Sequence, residues 1–238
     1  MIGITADKSG NGHHFTKSGL VATDKTLDSP TNNFAVQNNL HKTLYDRDGG
    51  SLSYPAGGPT YSEGNLKVVS PNNGSGNSAS TIGVASGKWY AEVYIVTYSS
   101  LPRHAIAITG DVGETIVAAT NIGSLSTGFD VGYFFNGTKF TSNSETTNAG
   151  ATFANGDVMG IALNVDDSEV SFYKNGSAIA NAQDISITDV NGVYFFEVQI
   201  RKFSSDTSQI TANFGQDSSF AGTKTAQGNT DANGIGDF

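Results

Sequence analysis

The sequence predicts an all-β protein: an antiparallel two-sheet β-sandwich, with a loop-rich N-terminal arm and a short polar C-terminal tail. Three observations carry this reading. Apolar residues recur with a period of two over several strand-length runs, separated by turns rich in Gly, Asn and Asp. No stretch of helical length keeps a 3.6-residue period between capping residues. Charged residues make up only 15% of the chain, whereas long exposed helices are normally laced with Lys–Glu pairs.

Taken in order, residues 1–62 form the arm. Gly10-Asn11-Gly12, Ser29-Pro30 and Asp48-Gly49-Gly50 are turn signals. The isolated apolar residues Phe15, Leu20, Leu27, Phe34, Leu40 and Leu44 suit a strap whose anchors fill separate pockets on the sandwich or on a neighbouring subunit. The sandwich spans residues 63–222 and opens with a strand over Gly64–Val69. Trp89, Ala91, Val93 and Ile95 then alternate with Lys88, Tyr90, Glu92 and Tyr94, placing two sets of side chains on opposite faces of one strand. His104–Thr109 is short and apolar, and Phe129, Val131, Tyr133 and Phe135 alternate again. Met159, Ile161, Leu163 and Val165 share one face, Asp166-Asp167-Ser168 turns the chain, and Val170 and Phe172 lie on the returning strand. Asn175-Gly176 supplies the positive-φ pair of a tight hairpin. Val193–Arg201 and Gln209–Phe214 complete the set, and residues 223–238 form the tail. Trp89, Ile161, Leu163, Phe172 and Phe214 are expected in the core.

Composition excludes several functions. With Gly included and Tyr set aside, about 45% of residues are apolar, enough for a sizeable core. A net charge of −9 would repel nucleic acid and anionic membranes. No apolar run is long enough to span a membrane. Met1–Ala6 lacks the basic start and apolar centre of a secretory signal. The absence of cysteine removes disulfides, thiolate catalysis and sulfur-ligated metals.

Several segments resemble the SPRY domain family. Gly87–Val93 (GKWYAEV) is similar to the family's GKWYWEV-type strand, Gly156–Asp166 (GDVMGIALNVD) to its GDVIGVALDLD strand, and Glu169–Gly176 (EVSFYKNG) to its TLSFYKNG hairpin. Val193–Val198 and Ile210–Gly215 fall where the family has its YFPAV and VTVNFG strands. These segments keep the family's order over roughly residues 64–220 and imply a SPRY-like, concanavalin-like sandwich of jelly-roll type. The flanks Asp7–Phe15, Leu27–Phe34 and Ser62–Leu66 resemble SPRY-like domains of large tailed-bacteriophage proteins. What that implies is a virion component in a tail fibre, tail tip or capsid appendage, and a chain that is part of something longer. Its partners would be other virion subunits, in a homo-oligomer, with host surface glycan as a further ligand. Its location would be the virion, assembled in the bacterial cytoplasm.

Catalytic constellations are not legible. Retaining glycosidases need two carboxylates about 5–5.5 Å apart, and Glu92 has no carboxylate two residues away on its strand. Asp166, Asp167 and Glu169 cluster at a hairpin tip, as solvated turn residues do. None of His13, His14, His41 and His104 accompanies a GxSxG elbow. The expectation is no enzyme, no cofactor and no metal, the competing readings being a polysaccharide depolymerase and a cellular SPRY adaptor. Two segments have calcium-loop oxygen spacing, Asp7-x-Ser9-x-Asn11-Gly12 and Asn229-x-Asp231-x-Asn233-Gly234, but neither has a closing Glu. Tyr90, Tyr94 and Tyr98 share a strand face that is either covered by the arm or a second layer or offers a stacking surface for a sugar or a subunit. Thr97–Arg103 corresponds to a variable loop where SPRY domains contact partners. The candidate contact residues are therefore Tyr94, Tyr98, Leu101 and Arg103.

Overall fold

The computed structural model describes residues 9–14, 16, 18–19, 27, 32–45, 59–70, 75–97, 104–110, 130–141, 144–187, 192–201 and 207–238. Among the described residues fifteen strands, numbered in chain order, form two wholly antiparallel sheets, and there is no helix. The first sheet has the order β1 (Gln37–Tyr45), β4 (Ser75–Ser80), β14 (Phe195–Arg201), β6 (Ala105–Thr109), β7 (Asp130–Phe134), β8 (Lys139–Thr141) and β9 (Ser144–Thr146). The second has the order β12 (Ser177–Ala178), β11 (Glu169–Lys174), β10 (Val158–Asn164), β5 (Lys88–Thr97), β15 (Gln209–Asn213), β3 (Lys67–Val69) and β2 (Thr60–Ser62), with β13 (Ile185–Ser186) also on β11.

Alternation puts one face of each sheet into a single core. Ile106, Ile108, Val131, Tyr133, Phe196, Val198 and Ile200 of the first sheet belong to the same apolar cluster as Ala91, Val93, Ile95, Met159, Ile161, Leu163, Val170, Phe172 and Ile210 of the second. Tyr133 stacks on Phe172 across the sheets, centroids 5.7 Å apart. Burial pushes the Tyr133 hydroxyl up to about 12, and that hydroxyl donates to the Ala151 carbonyl at 2.7 Å.

Residues 34–214 form one compact unit, and Met1–Asn33 with Gly215–Phe238 form another. The sandwich thus begins inside the segment expected to be an arm. Gln37–Tyr45 is a strand on β4, with a register shift between Gln37 and Lys42. Leu40 lies in that shift and is 92% exposed, and Leu27 is exposed as well, so neither is a buried anchor. The tail is ordered too: Asn229 and Phe238 exchange backbone hydrogen bonds, and the Asp237 N–H donates to the Gly215 carbonyl at 2.8 Å.

Two core expectations are corrected. Ala91, Val93 and Ile95 are buried, so the face assignment of β5 holds. Trp89, on that same face, is 47% exposed. It stands at the strand's start, and its Nε1–H donates to the Ser86 carbonyl at 2.7 Å in the preceding loop. An indole carries a donor that needs an acceptor, and at a strand end it reaches one without entering the core. Phe214 is only half-buried: it follows β15 and packs on the rim of the core, 6.1 Å from the Phe196 ring.

Candidate functional site

The tyrosine-bearing face of β5 looks away from the core. Pairing sets Tyr90, Glu92 and Tyr94 opposite Ala162, Gly160 and Val158 of β10, and Glu92 and Tyr94 opposite Asn213 and Thr211 of β15. Tyr90 lies across Gly160, where a Cβ would collide with its ring and hydroxyl, and meets Tyr173 edge-on at 6.5 Å. Its hydroxyl donates to Glu92 Oε1 at 3.4 Å, and Asn213 Nδ2 donates to Glu92 Oε2 at 3.2 Å. Burial first, then the Glu92 charge and hydrogen bond, hold the Tyr90 phenol well above its ordinary value.

Of the sequence-derived contact residues, Tyr94 is on this face but only 9% exposed, too little to offer a stacking surface. Tyr98, Leu101 and Arg103 lie outside the described residues. The half-buried pair Tyr90 and Tyr173 is the aromatic surface that this face presents. The period of two alone could not rank Tyr90 above Tyr94, because neighbouring strands decide which is covered.

The family-like segments serve the hairpins. Gly156-Asp157 and Lys174-Asn175 meet at one end of the second sheet. Asp157 Oδ2 accepts the Ala154 N–H at 2.7 Å, Asp157 Oδ1 accepts Asn175 Nδ2 at 2.7 Å, and Lys174 Nζ stands 3.0 Å from Asp157 Oδ2. Burial pushes the Asp157 carboxyl up, but the bonds from Asn175, the Ala154 N–H and Lys174 outweigh it and hold the group below the usual range.

At the opposite end, the Gly87 N–H donates to Asp166 Oδ1 at 2.7 Å and the Val165 N–H to the Gly87 carbonyl at 3.0 Å. Asp167 Oδ2 accepts Asn164 Nδ2 at 2.6 Å and lies 3.7 Å from Lys88 Nζ, both groups well exposed. These carboxylates are solvated turn residues, as the hairpin-tip spacing predicts.

At β4 and β14 the outward face of the first sheet is polar yet buried, while Ala105, Ala107 and Phe134 make it apolar at β6 and β7. Asn77 and Gln199 face each other across β4 and β14, at 2% and 1% exposure. Asn77 Oδ1 and both Gln199 amide atoms have no hydrogen-bond partner.

Buried nucleophile chemistry is represented by Ser208 Oγ, 3.0 Å from His104 Nδ1. Both residues are almost fully buried, which leaves no approach for a substrate. Among the described residues no three His, Cys, Asp or Glu side chains gather as a metal site. Asp231, the centre of one calcium-like spacing, accepts the N–H groups of Asn233 at 3.0 Å and Ile235 at 2.9 Å. The Ile235 bond is the main cause of its lowered carboxyl pKa. The spacing therefore serves a turn, with backbone donors where a cation would stand. Asp7 of the other spacing lies outside the described residues.

A family profile described as SPRY domain matches residues 81–216. No curated protein sequence matches the chain. Among solved structures, a human SPRY domain is 15% identical with a TM-score of 0.51, covering 66% of this chain and 94% of that one. The SPRY domain of human HERC1 is 16% identical with a TM-score of 0.49, covering 74% of this chain and 96% of that one. Stonustoxin is 14% identical with a TM-score of 0.50, covering 76% of this chain and 27% of that one.

Proposed function

The chain belongs to the SPRY domain family, and from that premise we propose that it is a non-enzymatic module that recognises other proteins. SPRY domains are a protein-interaction fold, and the observation that carries the reading is the use of the polar residues in the family-like segments. Asp157 binds the Ala154 N–H, and Asn175 bridges Asp157 and the Val158 N–H. Residues spent on shaping a scaffold leave recognition to its loops and exposed side chains.

The finer reading is a virion structural or adhesion protein that binds other virion subunits as a homo-oligomer, with host surface glycan as a further ligand. Its support is the phage-like character of Asp7–Phe15, Leu27–Phe34 and Ser62–Leu66. Antibody labelling of purified particles, with crosslinking of their neighbouring chains, tests it. Label on the particle and crosslinks to other particle proteins are expected. Absence from particles together with crosslinks to a cellular protein would favour the adaptor reading. Release of reducing sugar from host polysaccharide by the pure chain would overturn the non-enzymatic one.

A further inference from the structure

We propose that the end of the sandwich bearing Trp89 and Asp166 receives an arginine side chain of a partner protein, the guanidinium stacking on the indole and hydrogen-bonding the carboxylate. The inference rests on the recognition-module reading and names the chemistry of one contact.

Trp89 is a large apolar side chain left 47% exposed, yet it is not loose. Its Nε1–H is held by the Ser86 carbonyl at 2.7 Å, and its ring edge lies 3.4 Å from where a Gly87 Cβ would stand. Gly87, at φ +87°, brings the two groups together. Its N–H donates to Asp166 Oδ1 at 2.7 Å, and the indole Nε1 lies 3.4 Å from where its Cβ would stand. Asp166 is exposed and forms no ion pair among the described residues, since the Lys88 ammonium goes to Asp167. No ring or cation among the described residues packs on the indole.

A rigid exposed indole beside an unneutralised carboxylate is complementary to a planar cation. Arginine stacks on an indole face and keeps its N–H groups in plane for a carboxylate, which an ammonium cannot do. A net charge of −9 draws basic partners to the surface as a whole. A sugar would use the indole but gain little from a bare charge, and an acidic segment would be repelled.

The chain has one tryptophan, so its indole N–H is a single, assigned resonance. The whole chain is titrated with blocked Gly-Arg-Gly, Gly-Lys-Gly and Gly-Gln-Gly peptides while that resonance is followed. A saturable shift with the arginine peptide is expected, weaker with lysine, absent with glutamine, and fading as salt rises. Asp166→Asn keeps an oxygen for the Gly87 N–H but removes the charge. It should weaken the arginine peptide about tenfold, the effect of losing one charge-assisted hydrogen bond, with the remaining spectrum unchanged. Equal shifts with glutamine, equal affinity for lysine, no shift at all, or an unaltered affinity in Asp166→Asn would each overturn the proposal. If the indole ignores arginine while the chain still crosslinks to protein partners, this contact is wrong and the recognition reading stands.

Discussion

Asp157→Ala removes the acceptor at the centre of the clasp between the 152–158 loop and the Asn175-Gly176 turn. The Ala154 N–H and Asn175 Nδ2, each at 2.7 Å, lose their acceptor, and Lys174 Nζ loses its ion pair at 3.0 Å but keeps the Thr152 carbonyl at 2.8 Å. Hydrogen bonds to a charged group are worth about 1.5–3 kcal/mol each. The carboxylate's side chain is 16% exposed, so water replaces part of the loss and the bonds do not sum. The expected cost is about 2–4 kcal/mol, a fall in Tm of roughly 4–16 °C for a domain this size. Urea unfolding followed by tryptophan fluorescence measures it, and the m-value should stay unchanged.

The pH dependence follows from the direction of the Asp157 shift. The folded carboxyl is held below its ordinary value, so its contribution is fully present above the unfolded carboxyl range and is lost as pH falls through the lower folded value. The gap between parent and variant should be constant near neutrality and close below about pH 4. A gap under about 0.5 kcal/mol at pH 7, the size of an ordinary surface change, would refute the reasoning. So would a gap that persists undiminished in acid.

Gly137 has φ +79° and its Cβ would run into the Gly150 carbonyl oxygen. Gly137→Ala should therefore cost about 2–4 kcal/mol, left-handed strain and overpacking acting together, against little change for Gly176→Ala beyond the strain alone. Trp89→Ala should cost only about 1–2 kcal/mol, because the residue is already 47% exposed; a loss in the 3–5 kcal/mol range of core aromatics would refute that reasoning. Gln199→Leu removes an amide whose two polar atoms are buried without partners, and chemical unfolding should show stability unchanged or raised by about 1 kcal/mol.

What could be read from the sequence was decided by local periodicity. β5, β10, β11 and β15 alternate clearly enough that their core faces follow from residue order, and Asn175, at φ 49°, takes the left-handed position its hairpin needs. β4 reads SGNSAS and offers no apolar alternation at all. It is a strand because β1 and β14 pair with it on either side, which is long-range information. The candidate site was less legible for the same reason. Tyr94 looked equivalent to Tyr90 until Thr211 was set beside it, and Trp89 looked like core until its place at the strand's end was known. Alternation tells which face a side chain takes, and only the neighbouring strands tell whether that face is covered at that height.

The strand order has a consequence for synthesis of the protein. β14 sits between β4 and β6, and β15 between β3 and β5. Each sheet is thus completed by a strand made more than a hundred residues after its earlier neighbour, as in the pairings of Val198 with Ser78 and Ile210 with Val68. A nascent chain that has emerged only as far as β13 holds two split sheets, with β4, β6, β3 and β5 presenting unpaired edges toward the gaps. Such edges invite pairing with other chains, and long-range closure of this kind is slow. The ribosome must deliver the final strands before either half can close, so truncations upstream of Phe195 are expected to aggregate rather than to yield a smaller stable domain.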